Sequence, residues 1–369
     1  MAKHVLITGG VGFIGRHLCN ELLESGYEVR VLDGFLDQVH SRAAAVAHLT
    51  DVEVVVGDIR DADAVRVALG GMDAVVHLAA EVGVGQSMYE IARYVGTNDL
   101  GTAVLLQELI AHPIERLVVA SSMSVYGEGL YRASDGRLVE TARRDPASIA
   151  AGRFDITDAD GGVLDPVPTD ESKPVDLASI YALTKYAQEK AALLFGQAYR
   201  IDSVALRLFN VFGPGQALAN PYTGVLANFA SRLAIDERPT IFEDGFQRRD
   251  FVHVRDVARA FRLALERPQV GGNVINVGSG RSYTVRDVAS LLARAMDRPI
   301  EPEILGRART GDIRNCFSDI GKAEALLGFR PMFAMEDTLG ELADWVAAQQ
   351  RVDNNATMRR ELEIRGLVS

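Results

Sequence analysis

Tyr181 and Lys185 stand four residues apart in Tyr181-Ala182-Leu183-Thr184-Lys185, a spacing that sets both on one face of a helix and lets them reach one bound molecule. A phenol with the ordinary pKa of about 10 is a poor base at neutral pH, and adjacent positive charge is what turns it into one. Such pairs are common on ordinary helices, so the weight comes from the company they keep. One companion is the hydroxyl-rich run Ser121-Ser122-Met123-Ser124-Val125-Tyr126-Gly127. Another is Thr8-Gly9-Gly10-Val11-Gly12-Phe13-Ile14-Gly15. Gly9, Gly12 and Gly15 permit a tight turn and close backbone approach to a pyrophosphate, whose charge then sits on the exposed amides of a helix opening at Phe13 and Ile14.

These residues need elements to hold them. The first half alternates short β-branched runs with longer amphipathic ones, the pattern of a parallel sheet covered by helices. Strands are expected at residues 4–8, 28–33, 53–57, 74–78, 116–121 and 203–208, and helices at 13–25, 62–69, 97–111 and 179–199. Asp33 ends the second strand, where a carboxylate accepts hydrogen bonds from adenosine ribose hydroxyls and repels a 2′-phosphate, favouring NAD over NADP. Asp58-Ile59 follows the third strand, where the carboxylate either meets an adenine amino group or caps a helix. His77-Leu78-Ala79-Ala80 follows the fourth, beside the pyrophosphate crevice. The expected fold is α/β, a Rossmann-type doubly wound parallel sheet with a smaller C-terminal α/β substrate domain.

A chain of 369 residues exceeds what one hydrophobic core usually reaches. We expect an NAD-binding domain over 1–212, with an insertion at 128–176, and a mainly substrate-binding domain over 213–350. Residues at about 246–270 are expected to return to the first domain, and the polar stretch 351–369 forms a tail that frays. The insertion lacks helical or strand periodicity and reads equally as a lid, a binding or interaction loop, or a solvated excursion. It holds no Cys or His, which excludes a zinc staple. The net charge of −11 argues against a nucleic-acid partner, so any anionic ligand must be held by a few placed groups. Cys19 and Cys316 are too few for a disulfide framework or a thiolate metal site, and no metal is expected. The first strand begins within a few residues of Met1 and no apolar run approaches a membrane span, so the expectation is a cytoplasmic protein.

With the glycine loop, the serine strand and the Tyr/Lys pair together, the chain resembles the nucleotide-sugar epimerase/dehydratase branch of the short-chain dehydrogenases over roughly residues 3–345, the insertion apart. The resemblance implies that Tyr181 is the acid/base for a sugar hydroxyl and that Lys185 binds the nicotinamide ribose and lowers the tyrosine pKa. Ser122 would meet the reacting oxygen, and Asn98 would join the cofactor residues. In Leu208-Phe209-Asn210-Val211-Phe212-Gly213-Pro214-Gly215, Asn210 takes the place of a phosphate-holding Asn. Arg249, in Arg248-Arg249-Asp250-Phe251-Val252-His253-Val254, and Arg309, in Arg309-Thr310-Gly311-Asp312, take the places of arginines that grip a diphosphate. Two guanidiniums on one diphosphate suit an acidic protein that binds a dianion. Thr240 and Phe242 would line the base, Ser124 and Val225 the substrate. Cys316 either leaves room in the sugar pocket or is a plain core residue.

Dehydratases of this branch carry Asp-Glu after the serine. Here Met123 and Ser124 stand there, and a thioether and a hydroxyl cannot do that acid/base work. The resemblance therefore implies epimerisation, favoured at carbon 4, by transient oxidation of a dTDP- or UDP-linked sugar. Asn220-Pro221-Tyr222-Thr223-Gly224-Val225, the turn Glu243-Asp244-Gly245 and the insertion resemble rhamnose-type 4-epimerases, which makes dTDP-L-rhamnose or a UDP-hexose the candidate substrate. Relatives pair as homodimers through the helices at 97–111 and 179–199. A nucleotide-sugar dehydrogenase or decarboxylase would share every motif. A non-catalytic NAD-sensing regulator typically loses the Tyr/Lys pair.

Overall fold

The computed structural model describes residues 3–35, 49, 51–216, 218, 224–309, 311–349, 361 and 363–368. Seven short runs rich in Val, Ile and Leu form one parallel sheet. Across it the order is Val274–Val277, Asp202–Leu208, Arg116–Ser122, Ala74–His77, His4–Thr8, Glu28–Asp33 and Glu53–Val56. Both faces are covered, so the strands are apolar throughout instead of alternating. Val5 and Ile7 enter one core with Val31, Val118 and Phe261, while Leu6 enters the other with Val75, Leu105 and Leu117. Each such side chain, fully removed from water, contributes roughly 1.5–3 kcal/mol.

All six expected strands are present, each end within a residue of its expected place. The seventh, Val274–Val277, falls outside that expectation and completes the sheet beside Asp202–Leu208. The chain leaves His4–Thr8 toward one edge and returns on the other side with Ala74–His77. At such a reversal the loops diverge and open a crevice at the carboxyl ends of the strands.

The helix expected at 97–111 divides into a π-helical turn, Val95–Leu100, and an α-helix, Gly101–Ala111. The helix Ile180–Tyr199 begins where expected because Ser179 caps it, its hydroxyl accepting from the Ala182 amide at 3.1 Å. Val254–Glu266 packs on Phe13–Glu24 and shares its core.

A second layer gathers the helices Val225–Leu233, Val285–Ala295 and Met335–Ala347 around Leu226, Phe229, Leu292 and Leu342. Within it the two-residue strand Arg248–Arg249 is held between Tyr283–Thr284 and Asn315–Cys316. The insertion has its own structure. Leu130–Arg132 pairs antiparallel with Leu138–Val139 and Asp165–Val167 over a small core of Tyr131, Ala133, Ala142, Ile156 and Leu164.

Val368 makes an antiparallel bridge with Arg309, and the Arg365 guanidinium lies 4.3 Å from the Tyr89 ring centroid.

Candidate active site

The crevice holds two adjoining clefts. One, of about 610 Å³, is lined by Gly9, Gly12, Phe13, Ile14, Gly15, Asp33, Asp58, Ile59, Leu78, Ala79, Ala80, Tyr181 and Lys185. Gly9 sits at φ +72°, and a Cβ there would lie 2.8 Å from the Ala79 amide nitrogen, so only glycine lets these two loops meet. A Cβ on Gly15 would fall 2.5 Å from the Gly10 backbone, so the helix can cross the loop only here. The N-terminus of Phe13–Glu24 has no side-chain cap and no acidic residue in its first turn, which leaves it suited to an anion. Asp33 closes the other side of the loop, accepting from the Val11 amide at 3.0 Å and the Phe35 amide at 2.9 Å. The cleft's size and its glycine cradle fit a dinucleotide.

Asp58 lines this cleft but is engaged by Arg60, whose guanidinium approaches to 2.5 Å and holds the carboxyl below the usual carboxylate range. Helix capping falls to Asp61 instead, which accepts from the Asp63 and Ala64 amides. Asn98 is fully buried and does not line the cleft wall. Its side-chain oxygen accepts from the Glu81 amide at 2.7 Å, and its nitrogen donates to the Glu81 carbonyl at 3.1 Å and the Thr184 hydroxyl at 2.9 Å. It thus ties the loop after the fourth strand to the helix carrying Tyr181.

The second cleft, about 560 Å³, is lined by Ser122, Met123, Ser124, Asn210, Val225, Thr240, Phe242, Arg249 and Arg309. Ser122, Tyr181 and Asn210 border both clefts, so the phenol stands where they meet. Burial pushes the Tyr181 phenol up, and the Ser122 hydroxyl pulls it the other way. Lys185 is buried too. Its ammonium donates to Gln188 Oε1 at 2.7 Å, and burial lowers its pKa to about 7 against the opposing pull of Glu189. In this arrangement the lysine ammonium is directed at Gln188. Positive charge brought by a bound oxidised nicotinamide would act in the needed direction.

Gln188 was not singled out by its spacing, although it lies one turn beyond Lys185. Its amide nitrogen also donates to the Thr102 hydroxyl at 2.8 Å and lies 3.2 Å from His77 Nε2. Burial brings His77 down to about 3, so it is neutral within this network.

In the second cleft Arg249 donates to the carbonyls of Arg314 at 2.9 Å and Ile313 at 2.5 Å. Arg309 pairs with Asp312 at 2.8 Å, and its guanidinium lies 4.5 Å from the Phe242 ring centroid. Asn210 donates to the Asp250 carbonyl at 2.8 Å. Cys316 is buried among Met123, Val125, Tyr126 and Phe209, outside the cleft wall, and burial raises its thiol to about 12. Of the segment 220–225, only Gly224 and Val225 lie among the described residues. Glu363 and Leu367, near the end of the chain, complete the wall. Nothing in their polar surroundings flags them in the sequence.

The profile of the NAD dependent epimerase/dehydratase family matches residues 5–149 and 157–278. A dTDP-L-rhamnose 4-epimerase of Burkholderia thailandensis is 36% identical, over 94% of this chain and 96% of its own. A UDP-glucose 4-epimerase of Thermotoga maritima, solved with UDP-glucose, superposes with a TM-score of 0.75 at 29% identity, over 93% of this chain and 98% of its own. A UDP-glucuronic acid 4-epimerase of Bacillus cereus, solved with UDP-glucuronic acid and NAD, superposes with a TM-score of 0.77 at 26% identity, over 93% and 98%.

Proposed function

The chain belongs to the NAD-dependent epimerase/dehydratase family, and from that premise we propose that it inverts carbon 4 of a nucleotide-diphosphate sugar, with dTDP-L-rhamnose the first candidate and a UDP-hexose the second. The observation that carries this reading is the position of Tyr181 and Ser122 at the junction of two clefts, one built for a dinucleotide and the other bearing two arginines.

NAD, held by the loop from Gly9 to Gly15 and by Asp33, would supply the hydride acceptor and donor for the sugar carbon. The chain's own residues do the rest. Ser122 and the Tyr181 phenol would hold the reacting hydroxyl between them, and Tyr181 would take its proton and later give it back. Lys185 would fix the cofactor's ribose once its ammonium turns from Gln188. Arg249, Arg309 and Asn210 would hold the diphosphate, so that binding energy comes from the part of the substrate that does not react. A sugar held only through its diphosphate is free to present its other face. Met123 and Ser124 offer no acid/base pair beside the reacting centre, which supports epimerisation over dehydration.

The same proposal includes an NAD-binding part, residues 1–212 with the segment near 246–270 returned to it, and a substrate-binding part over most of 213–350. It also includes a homodimer in the cytoplasm. Supporting the dimer, Leu183 and Leu194 lie exposed three turns apart on one helix, and Leu100 and Ile110 lie exposed on its neighbour. Among the described residues no helix is long and apolar enough to cross a membrane.

The test is a panel of dTDP-L-rhamnose, UDP-glucose, UDP-N-acetylglucosamine and UDP-glucuronate, each incubated with enzyme and NAD and followed by proton NMR. An epimer of unchanged mass is expected. Loss of water or carbon dioxide, or stoichiometric NADH, would contradict the reading.

A further inference from the structure

No residue of the insertion, 128–176, lines either cleft. A lid would. Three of its polar side chains, Glu128, Arg144 and Asp155, converge instead on one stretch of the second layer, Asp312 to Asn315. Glu128, buried, accepts from the Arg314 amide at 2.6 Å and from the Asn315 amide at 3.1 Å, and its own position is fixed by the Tyr131 hydroxyl at 2.8 Å. Arg144 donates to the Asp312 carbonyl at 3.2 Å and pairs with Glu243 at 2.6 Å. Asp155 pairs with the guanidinium of Arg314 at 2.8 Å. That guanidinium is only 2% exposed and also meets Glu243 and Asp244.

The stretch so held is the one that aims the site arginines. Its Ile313 and Arg314 carbonyls take two donors of Arg249, and Asp312 takes two of Arg309. A guanidinium is a rigid planar fork, so fixing two of its N–H groups fixes the direction of the others. The strand within this stretch, Asn315–Cys316, is only two residues long, and the insertion adds its bonds to those the stretch makes with Arg248.

We infer that the insertion is a brace that sets the diphosphate-binding arginines, with Glu128 and Asp155 as positioning residues that touch neither substrate nor cofactor. The inference rests on the reading that Arg249 and Arg309 hold the diphosphate. It explains why the insertion buries Glu128 and most of the Arg144 side chain. Glu128, Arg144 and Asp155 each end on a partner in, or paired to, the second layer, an arrangement that serves orientation more than stability.

Arg314 is unsuited to a test, because removing it takes a partner from the buried Glu243 carboxylate. Glu128→Gln keeps shape while replacing one backbone acceptor with a donor, and Asp155→Asn removes one charge from a side chain that is 61% exposed and tolerant of change. The holoenzyme and both variants, with Arg249→Ala as reference, are titrated calorimetrically with dTDP and with thymidine. Bound NAD, thermal unfolding, KM and kcat are measured in parallel. For Glu128→Gln we expect dTDP affinity to fall about tenfold, the equivalent of one ordinary hydrogen-bonded contact. Asp155→Asn should fall less. KM should rise in step, with thymidine binding, NAD content and kcat close to those of the parent.

Parent-like dTDP binding in both variants, with Arg249→Ala impaired, would overturn the brace and leave the diphosphate reading standing. Parent-like dTDP binding in Arg249→Ala would overturn that reading, and the brace with it. A loss of NAD and kcat in proportion to lowered thermal stability, with KM unmoved, would show a purely structural insertion and also overturn the inference.

Discussion

The two clefts that meet at Tyr181 are built in opposite ways. The cofactor side is built largely on backbone geometry: strand ends, a glycine at φ +72° against a neighbouring amide, and an uncapped helix N-terminus, with most of its lining within the first 185 residues. The substrate side is assembled from side chains on segments from Val82 to Leu367, with Arg249 and Asn210 aimed by tertiary partners. Local motifs therefore specify the first. The second depends on pieces that sequence separation hides from one another, and substitutions should show the contrast.

The largest effect is expected at the junction. Tyr181→Phe should lower kcat on the order of 10²- to 10⁴-fold, with nucleotide-sugar affinity within a few-fold of the parent. Steady-state kinetics and calorimetry check it, and retention of more than about a tenth of the activity would remove Tyr181 from the acid/base role. Next comes the substrate side alone. Arg249→Ala removes a charge-assisted contact worth roughly 1.5–3 kcal/mol, so KM should rise about 10- to 150-fold with kcat much less affected and bound NAD unchanged.

A smaller effect is expected at the end of the chain. Leu367→Ala trims an apolar part of the substrate wall and should raise KM several-fold, the scale of about 1 kcal/mol of apolar contact, again without change in bound NAD. An unchanged KM would mean that the tail rests on the cleft without contributing to it.

The smallest belongs to the cofactor side and reads pH. Burial holds Lys185 at about 7, well below the ordinary lysine value of about 10.4. Between those two values the unfolded chain holds a proton that the folded chain lacks, so this group makes stability rise with pH. Cofactor-free protein should therefore gain on Lys185→Met between about pH 7 and 9.5 in urea unfolding. A difference independent of pH would mean that the ammonium is well solvated.

The same contrast explains what could be read in advance. Six strands and the glycine loop were legible because parallel strands are continuous apolar runs and because a tight turn admits few residues. Val274–Val277 was missed, being closely bracketed by Gly271-Gly272 and Gly278-Ser279-Gly280. Tyr181 and Lys185 were legible from spacing, but the turn of the ammonium toward Gln188 was not, since it depends on burial. Asn98 and Cys316 sit on the expected segments yet face inward, which a one-residue change of face decides. Glu128, Arg314 and Leu367 acquire their surroundings only in the folded chain.

Transient oxidation with return of the hydride to the same carbon is tested most directly by dTDP-L-rhamnose carrying deuterium at carbon 4. After conversion in ordinary water, the epimer should retain the deuterium at that carbon, by mass spectrometry and proton NMR. Loss of the label to solvent would show that carbon 4 is inverted by proton abstraction, and the roles given to Tyr181 and the cofactor cleft would fall.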